Sequence, residues 1–318
     1  GIVSTPSVSI NDIHDHDTVI LDNIKIFPKM FYLFTSNPRR CNNKLQVPFG
    51  CIASMQIECI TVHQYDISLY EPFVTALKPI PELERVLVEV ETNTGIVGLG
   101  EAAPAYEVTG ETQRSTAAVI EDVLAPLVIG EDPLDIERVR GLMWDLVDGS
   151  PAAHAAIEIA LQDIRGKAAE MPLYRLLGGH AEEPVIDVPK VLSIKSPEVM
   201  AKDAATAVEA GYEQIKIKVG GDPAIDVERV RAIDEAVPDD VSLKADANQG
   251  WGDAKTALAA LSEIGDAIKV IEQPVDVNNV ADLCELRRRV DIPVMADESV
   301  ESPEDALDLV EREASDMY

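Results

Sequence analysis

From Met55 onward, apolar and polar positions first alternate with a period of two. Met55, Ile57 and Cys59 open one such run over 55–66, and Val86, Val88 and Val90 carry a second over 84–93. A Thr94-Gly95 turn leads into a third at 96–101. Period two places alternate side chains on opposite faces of a strand, so these runs predict an antiparallel meander. A period near 3.6 follows at 112–125, 135–147 and 152–169. The last of these runs is closed by Pro172-Leu173-Tyr174-Arg175-Leu176-Leu177-Gly178-Gly179, whose glycines stop a helix. Strands followed by helices describe an α+β unit.

Past residue 184 the rhythm changes to short apolar runs between amphipathic helices, with strands predicted near 186–192, 214–219, 241–246, 268–272 and 293–297. Ser196-Pro197 and Ser302-Pro303 each offer a capping side chain and a first-turn proline for a helix. Repeated βα units imply a parallel sheet, either open or closed into a barrel. No G-x-G-x-x-G run links a strand to a helix, which disfavours a doubly wound nucleotide-binding fold. The expected layout is an α+β domain over 55–184 and a β/α domain over 185–318.

Charge adds a third segment. The 318 residues carry a formal −30, with 57 acidic and 27 basic side chains and 46% hydrophobic residues. Residues 1–54 hold five Lys/Arg and four Asp, a net +1, so removing them from −30 leaves −31 for the remainder. That break predicts a native start at Met55, with 1–54 an atypical extension outside the native fold. The acids are spread among apolar residues, as on a solvated surface adapted to high salt, and they repel nucleic acid and anionic membranes. Cys41, Cys51, Cys59 and Cys284 lack paired metal-ligand spacing and the density of a disulfide scaffold. No apolar run is long enough for a membrane span, and no export signal opens the chain. A cytoplasmic protein is expected.

The chemistry-bearing residues recur at strand ends. Lys216 and Lys218, then Asp246 with Asn248, then Glu272, then Asp297 fall at intervals of 28, 26 and 25 residues from Lys218 onward, one βα unit each. The C-terminal ends of parallel strands are where such folds build their sites. Three carboxylates converging there repel one another unless a cation lies between them, and an all-oxygen set suits Mg²⁺. Lys216 and Lys218 share one face of their strand. A lysine near a metal and a second ammonium has its pKa lowered and can serve as a base. Lys218, nearer the strand end, is the expected base, with the deeper Lys216 stabilising negative charge. These parts specify removal of a proton α to a carboxylate or carbonyl, with the metal stabilising the enolate.

Lys216-Ile217-Lys218, Asp246-Ala247-Asn248, Glu272-Gln273-Pro274 and Ala296-Asp297-Glu298-Ser299, in this order, resemble the muconate-lactonizing branch of the enolase superfamily. The resemblance implies a capping domain over a modified (β/α)₇β barrel, Mg²⁺ on Asp246, Glu272 and Asp297, and Lys218 as general base. Pro72-Phe73-Val74-Thr75-Ala76-Leu77-Lys78, Gly98-Leu99-Gly100-Glu101-Ala102-Ala103-Pro104 and Val108-Thr109-Gly110-Glu111-Thr112 are most similar to dipeptide epimerases such as L-Ala-D/L-Glu epimerase. Their capping loops close over the substrate, which implies substrate contacts from Lys78 and Thr109 besides Asn248. At Lys78 an arginine gripping an acidic side chain is expected; lysine keeps the charge without the bidentate fork. Members of the family often form octamers, which implies a homo-oligomer.

The sequence departs from the family pattern at its other end. It stops at Ser315-Asp316-Met317-Tyr318, where the next strand is expected and where the family carries a second lysine on the opposite face of the substrate. An incomplete barrel of about five strands is therefore expected, in a fragment or a truncated gene product. Two alternatives to the epimerase follow: a muconate-type cycloisomerase, which needs the same metal and one lysine, and a non-catalytic remnant.

Overall fold

The computed structural model describes residues 55–180 and 186–318. The 1–54 extension and the 184/185 boundary expected above lie outside the described residues.

The first unit is a three-stranded antiparallel sheet, β1 (Ile57–Val74), β2 (Pro79–Thr92) and β3 (Val97–Ala102), in the order β1-β2-β3. Alternation decides its faces: Val86, Val88 and Val90 are fully buried, while Glu89 and Glu91 point away from that core. β1 and β2 are longer than the alternation predicted, because the 66–84 stretch forms the two arms of a hairpin. Its register shifts between Ser68 and Phe73. Pro72, which cannot donate to a ladder, sits inside that irregularity.

The helices are α1 (Gln113–Val119), continued by a π turn (Ile120–Leu124) into α2 (Ala125–Val128), then α3 (Ile136–Leu146), α4 (Pro151–Ala168) and α5 (Leu173–Leu176). At two glycines of β3 the backbone of α4 approaches directly. A Cβ on Gly98 would fall 2.1 Å from the Ala160 carbonyl oxygen, and one on Gly100 would fall 1.9 Å from that of Ala156. The start of α4 is capped from a distance. Ser150 makes no side-chain cap, and the buried Glu111 carboxylate accepts from Ala152 N at 2.9 Å and Ala153 N at 3.3 Å.

The second unit is a five-stranded parallel sheet in the order β4 (Lys190–Leu192), β5 (Gln214–Lys218), β6 (Ser242–Asp246), β7 (Val270–Glu272), β8 (Val294–Met295). Helices α6 (Pro197–Glu209), α7 (Pro223–Ala236), α8 (Ala254–Ile264), α9 (Val280–Arg289) and α10 (Pro303–Glu311) alternate with the strands. One parallel bridge joins Met295 to Met317 beside β8. Ser302 caps α10 as expected, accepting from Asp305 N, whereas Ser196 makes no side-chain hydrogen bond to the backbone of α6. Ile215, Ile217, Leu243 and Ala245 face the helices in one core; the intervening Lys216, Lys218, Lys244 and Asp246 face the opposite side.

The two units touch near the strand ends. Ile194 N donates to Val74 O at 2.9 Å and Val74 N to Ser193 Oγ at 2.7 Å. A Cβ on Gly220 would lie 2.7 Å from that of Ala76. No helix of the described residues is long and apolar enough to cross a membrane. Cys284 is buried and free.

Candidate active site

Strand register assembles the site. β5 and β6 pair Lys216 with Lys244 and Lys218 with Asp246, and β6 and β7 pair Asp246 with Glu272. One row at the C-terminal edge therefore reads Lys218, Asp246, Glu272, and the row beneath it holds Lys216 and Lys244. Asp297 follows two residues after Met295, the partner of Glu272. Carboxylate oxygens of Asp246, Glu272 and Asp297 lie within 4.8 Å of one another.

Asp246 is fully buried and Glu272 nearly so. Asp246 Oδ2 lies 2.6 Å from Lys218 Nζ and 2.7 Å from Lys216 Nζ. Lys218 also donates to Asn248 Oδ1 at 2.8 Å, and Asn248 Nδ2 donates to Glu298 Oε1 at 3.0 Å. Asn248 has a left-handed φ of 39°, a conformation that asparagine tolerates better than most residues. Lys216 reaches Glu272 Oε1 at 2.9 Å, and Lys244 Nζ lies 2.5 Å from Glu272 Oε2.

Burial works against the charge on Lys216, but Asp246 and Glu272 outweigh it and hold its pKa above the usual lysine value. A raised value suits a fixed positive charge. Burial would raise Glu272, yet Lys244 and Lys216 bring it down to about 2. Asp297 is pushed up to about 6 by desolvation of its carboxyl end, its hydrogen bond with Glu272 and the charges of Glu298, Glu272 and Asp246. The residue as a whole stays exposed; only its carboxyl is crowded. The crowding of like charges thus falls on Asp297, while the lysines hold Glu272 ionised.

These residues fit a hard divalent cation. The donors are all oxygen, as Mg²⁺ prefers. Glu298 Oε2 is buried without a hydrogen-bond partner among the described residues, and a carboxyl raised by three like charges is relieved by a cation among them.

A cavity of about 270 Å³ runs from Asn248 up to the loops of the first unit, where Lys78, Tyr106 and Glu107 line it. Lys78 is ion-paired with Glu107, and its ammonium lies 4.1 Å from the Tyr106 ring centre. Its charge is therefore met within the protein. Thr109 is exposed, with its hydroxyl donating to Ala105 O at 3.3 Å, and it does not line the cavity. Sequence reasoning missed Lys244, although it stands two before Asp246 as Lys216 stands two before Lys218. It also missed Gln273 and Glu298, which lie inside motifs it quoted.

Residues 56–178 match the mandelate racemase/muconate lactonizing enzyme N-terminal domain, and residues 199–318 match the enolase C-terminal domain-like family. The chain belongs to the enolase superfamily. Among its superfamily relatives, N-succinyl-L-Arg/Lys racemase of Bacillus cereus is 37% identical over 82% of this chain and 71% of its own length. L-Ala-D/L-Glu epimerase of Clostridium acetobutylicum is 39% identical over 83% of this chain and 74% of its own. A crystal structure of the Enterococcus faecalis dipeptide epimerase with Mg and L-Leu-L-Tyr aligns with a TM-score of 0.79 at 38% identity, covering 82% of this chain and 73% of that one. With a racemase and epimerases as its relatives, the chain is an isomerase by family. The α/β architecture, with an antiparallel first unit and a parallel second one, agrees with the expectation from sequence.

Proposed function

We propose that this chain is a Mg²⁺-dependent dipeptide epimerase that removes the proton α to a carboxylate or carbonyl, with Lys218 as the base. The observation that carries the reading is the rim itself: Lys218 Nζ stands 2.6 Å from the same buried Asp246 whose carboxylate oxygens cluster with those of Glu272 and Asp297. The names of the relatives, a racemase and two epimerases, support it.

Asp246, Glu272 and Asp297 would hold the ion, which when bound supplies Lewis acidity that draws electron density from a substrate oxygen. Lys218 takes the α-proton on Nζ, with Asp246 Oδ2 and Asn248 Oδ1 fixing the direction of that nitrogen. Lys216, kept protonated by Asp246 and Glu272, opposes negative charge developing on the substrate. The first unit covers the other end of the cavity, where Lys78, Tyr106 and Glu107 line it. An acidic substrate side chain would have to displace Glu107 from Lys78, so a dipeptide whose second residue is uncharged fits this cavity better.

The test is thermal unfolding in high salt with and without millimolar Mg²⁺, followed by α-proton exchange of L-Ala-L-Leu and L-Ala-L-Glu in deuterated water. An Mg²⁺-dependent rise in Tm that is lost in Asp246→Asn and Glu272→Gln, together with dipeptide exchange that is lost in Lys218→Ala, is expected. A transition indifferent to Mg²⁺ refutes the metal site. Cycloisomerisation of a muconate without dipeptide exchange assigns the other branch.

A further inference from the structure

Gln273 follows Glu272 and is fully buried, with a left-handed φ of 35°. A glutamine in that region is strained by about 1–3 kcal/mol and persists only where its surroundings determine it. Here they do so at every polar atom of the side chain. Oε1 accepts from Asp297 N at 3.0 Å and from Ser299 N at 3.2 Å. Nε2 donates to Val275 O at 3.0 Å and to Ser299 Oγ at 2.8 Å. Only this orientation of the amide is allowed, since the reverse would set NH₂ against two backbone N–H groups. Its backbone is tied as well: Gln273 N donates to Met295 O at 2.9 Å and Gln273 O accepts from Gln249 N at 2.7 Å. One residue thus joins the loop after β6, the end of β7 and the loop after β8.

Its partners explain what that joining is for. Glu272 is set by the β7 ladder and Asp246 by β6, but β8 ends at Met295, two residues before Asp297. Asp297 therefore has no strand register of its own. Its backbone N–H is fixed by the Gln273 amide, from the residue next to Glu272. We propose that Gln273 is a positioning residue that holds the Asp297 carboxylate in place for the divalent cation, without itself touching the ion. This rests on Asp246, Glu272 and Asp297 forming the cation site. Partners that orient the ligands of a metal typically change its affinity by about 10–100-fold when lost.

The experiment measures the Mg²⁺ concentration giving half of the maximal Tm shift for the whole chain. Four variants accompany the wild type: Gln273→Met, which keeps length without hydrogen bonds; Gln273→Glu, which keeps the acceptor for Asp297 N; Gln249→Ala; and Glu272→Gln. Gln249 also takes part in the loop network, accepting from Val277 N at 3.3 Å, yet it does not touch Asp297. Gln273→Met is expected to raise half-saturating Mg²⁺ about 10–100-fold, Gln273→Glu less, and Gln249→Ala to lower the Mg²⁺-free Tm with half-saturation unchanged. If Gln273→Met lowers the Mg²⁺-free Tm but leaves half-saturation where it was, Gln273 is structural only and the proposal is overturned. If Gln273→Met does not fold, Gln273→Ala takes its place: half-saturating Mg²⁺ raised about 10–100-fold supports the proposal, and half-saturation equal to wild type overturns it. A wild type that ignores Mg²⁺, or a Glu272→Gln variant that responds like wild type, instead removes the cation site on which the proposal rests.

Discussion

Glu111 sits at the start of α1 but stabilises the start of α4, and replacing it by alanine isolates that contribution. Ser150 has a φ of 53° and offers no side-chain cap, and Pro151 has no N–H, so Ala152 N has the Glu111 carboxylate as its acceptor. Ala153 N is served twice, by Glu111 at 3.3 Å and by Ser150 O at 3.0 Å, so it loses less. One buried hydrogen bond to a charged acceptor contributes about 1.5–3 kcal/mol. A negative charge at a helix N-terminus adds about 0.3–1 kcal/mol, and more when partly buried. Glu111→Ala is therefore expected to cost about 2–4 kcal/mol, and Glu111→Gln, which keeps a neutral acceptor, roughly half of that. For a chain of this size each kcal/mol moves Tm by about 2–4 °C. Urea unfolding followed by far-UV circular dichroism reads the difference directly. A loss below about 0.5 kcal/mol, the range of ordinary surface substitutions, would mean that α4 does not depend on this remote cap.

His154 is buried edge-on to Trp144, with ring centres 4.2 Å apart, and neither ring nitrogen has a hydrogen-bond partner among the described residues. Burial lowers its pKa, with Glu111 opposing. The unfolded chain thus binds this proton more readily, and the histidine's contribution is complete above about pH 6.5 and lost as pH falls below it. Urea midpoints between pH 7.5 and 5.5 should fall less in His154→Phe than in wild type. Asp226 accepts from Gly220 N at 2.9 Å, Trp251 Nε1 at 3.0 Å and Arg229 NH1 at 2.7 Å, all in the loops and helix behind the site. Asp226→Ala should cost about 3–5 kcal/mol by stranding a guanidinium and, in a Trp144→Phe background, shift the emission of Trp251 to the red; unchanged emission would contradict the pairing. Glu107→Gln should release Lys78 and raise exchange of L-Ala-L-Glu relative to L-Ala-L-Leu about tenfold, equivalent to about 1.4 kcal/mol. An unchanged ratio would show that this ion pair does not set selectivity.

The rim of the site was legible because β-strand alternation and βα spacing are local. Lys216 and Lys218 had to share a face, and Asp246, Glu272 and Asp297 fell one unit apart. What stayed hidden depends on contacts between distant segments. The pairing of Lys78 with Glu107 spans 29 residues and follows from how two loops meet, so the sequence showed only a free cation. The 66–84 hairpin was hidden because Pro72 breaks the alternation that would mark its arms. Gln273 stood in view inside a quoted motif, but its partners Asp297 and Ser299 belong to another strand's loop. Lys244 alone could have been found by the same rule that found Lys216.

At two points the contact of β3 with α4 is backbone on backbone. Where Gly98 and Gly100 meet the carbonyls of Ala160 and Ala156, the strand itself brings no side chain that could absorb a shift by turning. The loop that carries Tyr106 and Glu107 leaves β3 directly, so its root is anchored to a surface that cannot creep. Drift in the depth of the cavity beneath that loop is then left to the loop tip or to the whole first unit swinging together. Sequence change elsewhere can tune the lining, but at Gly98 and Gly100 even one added methyl group would have to push the helix away.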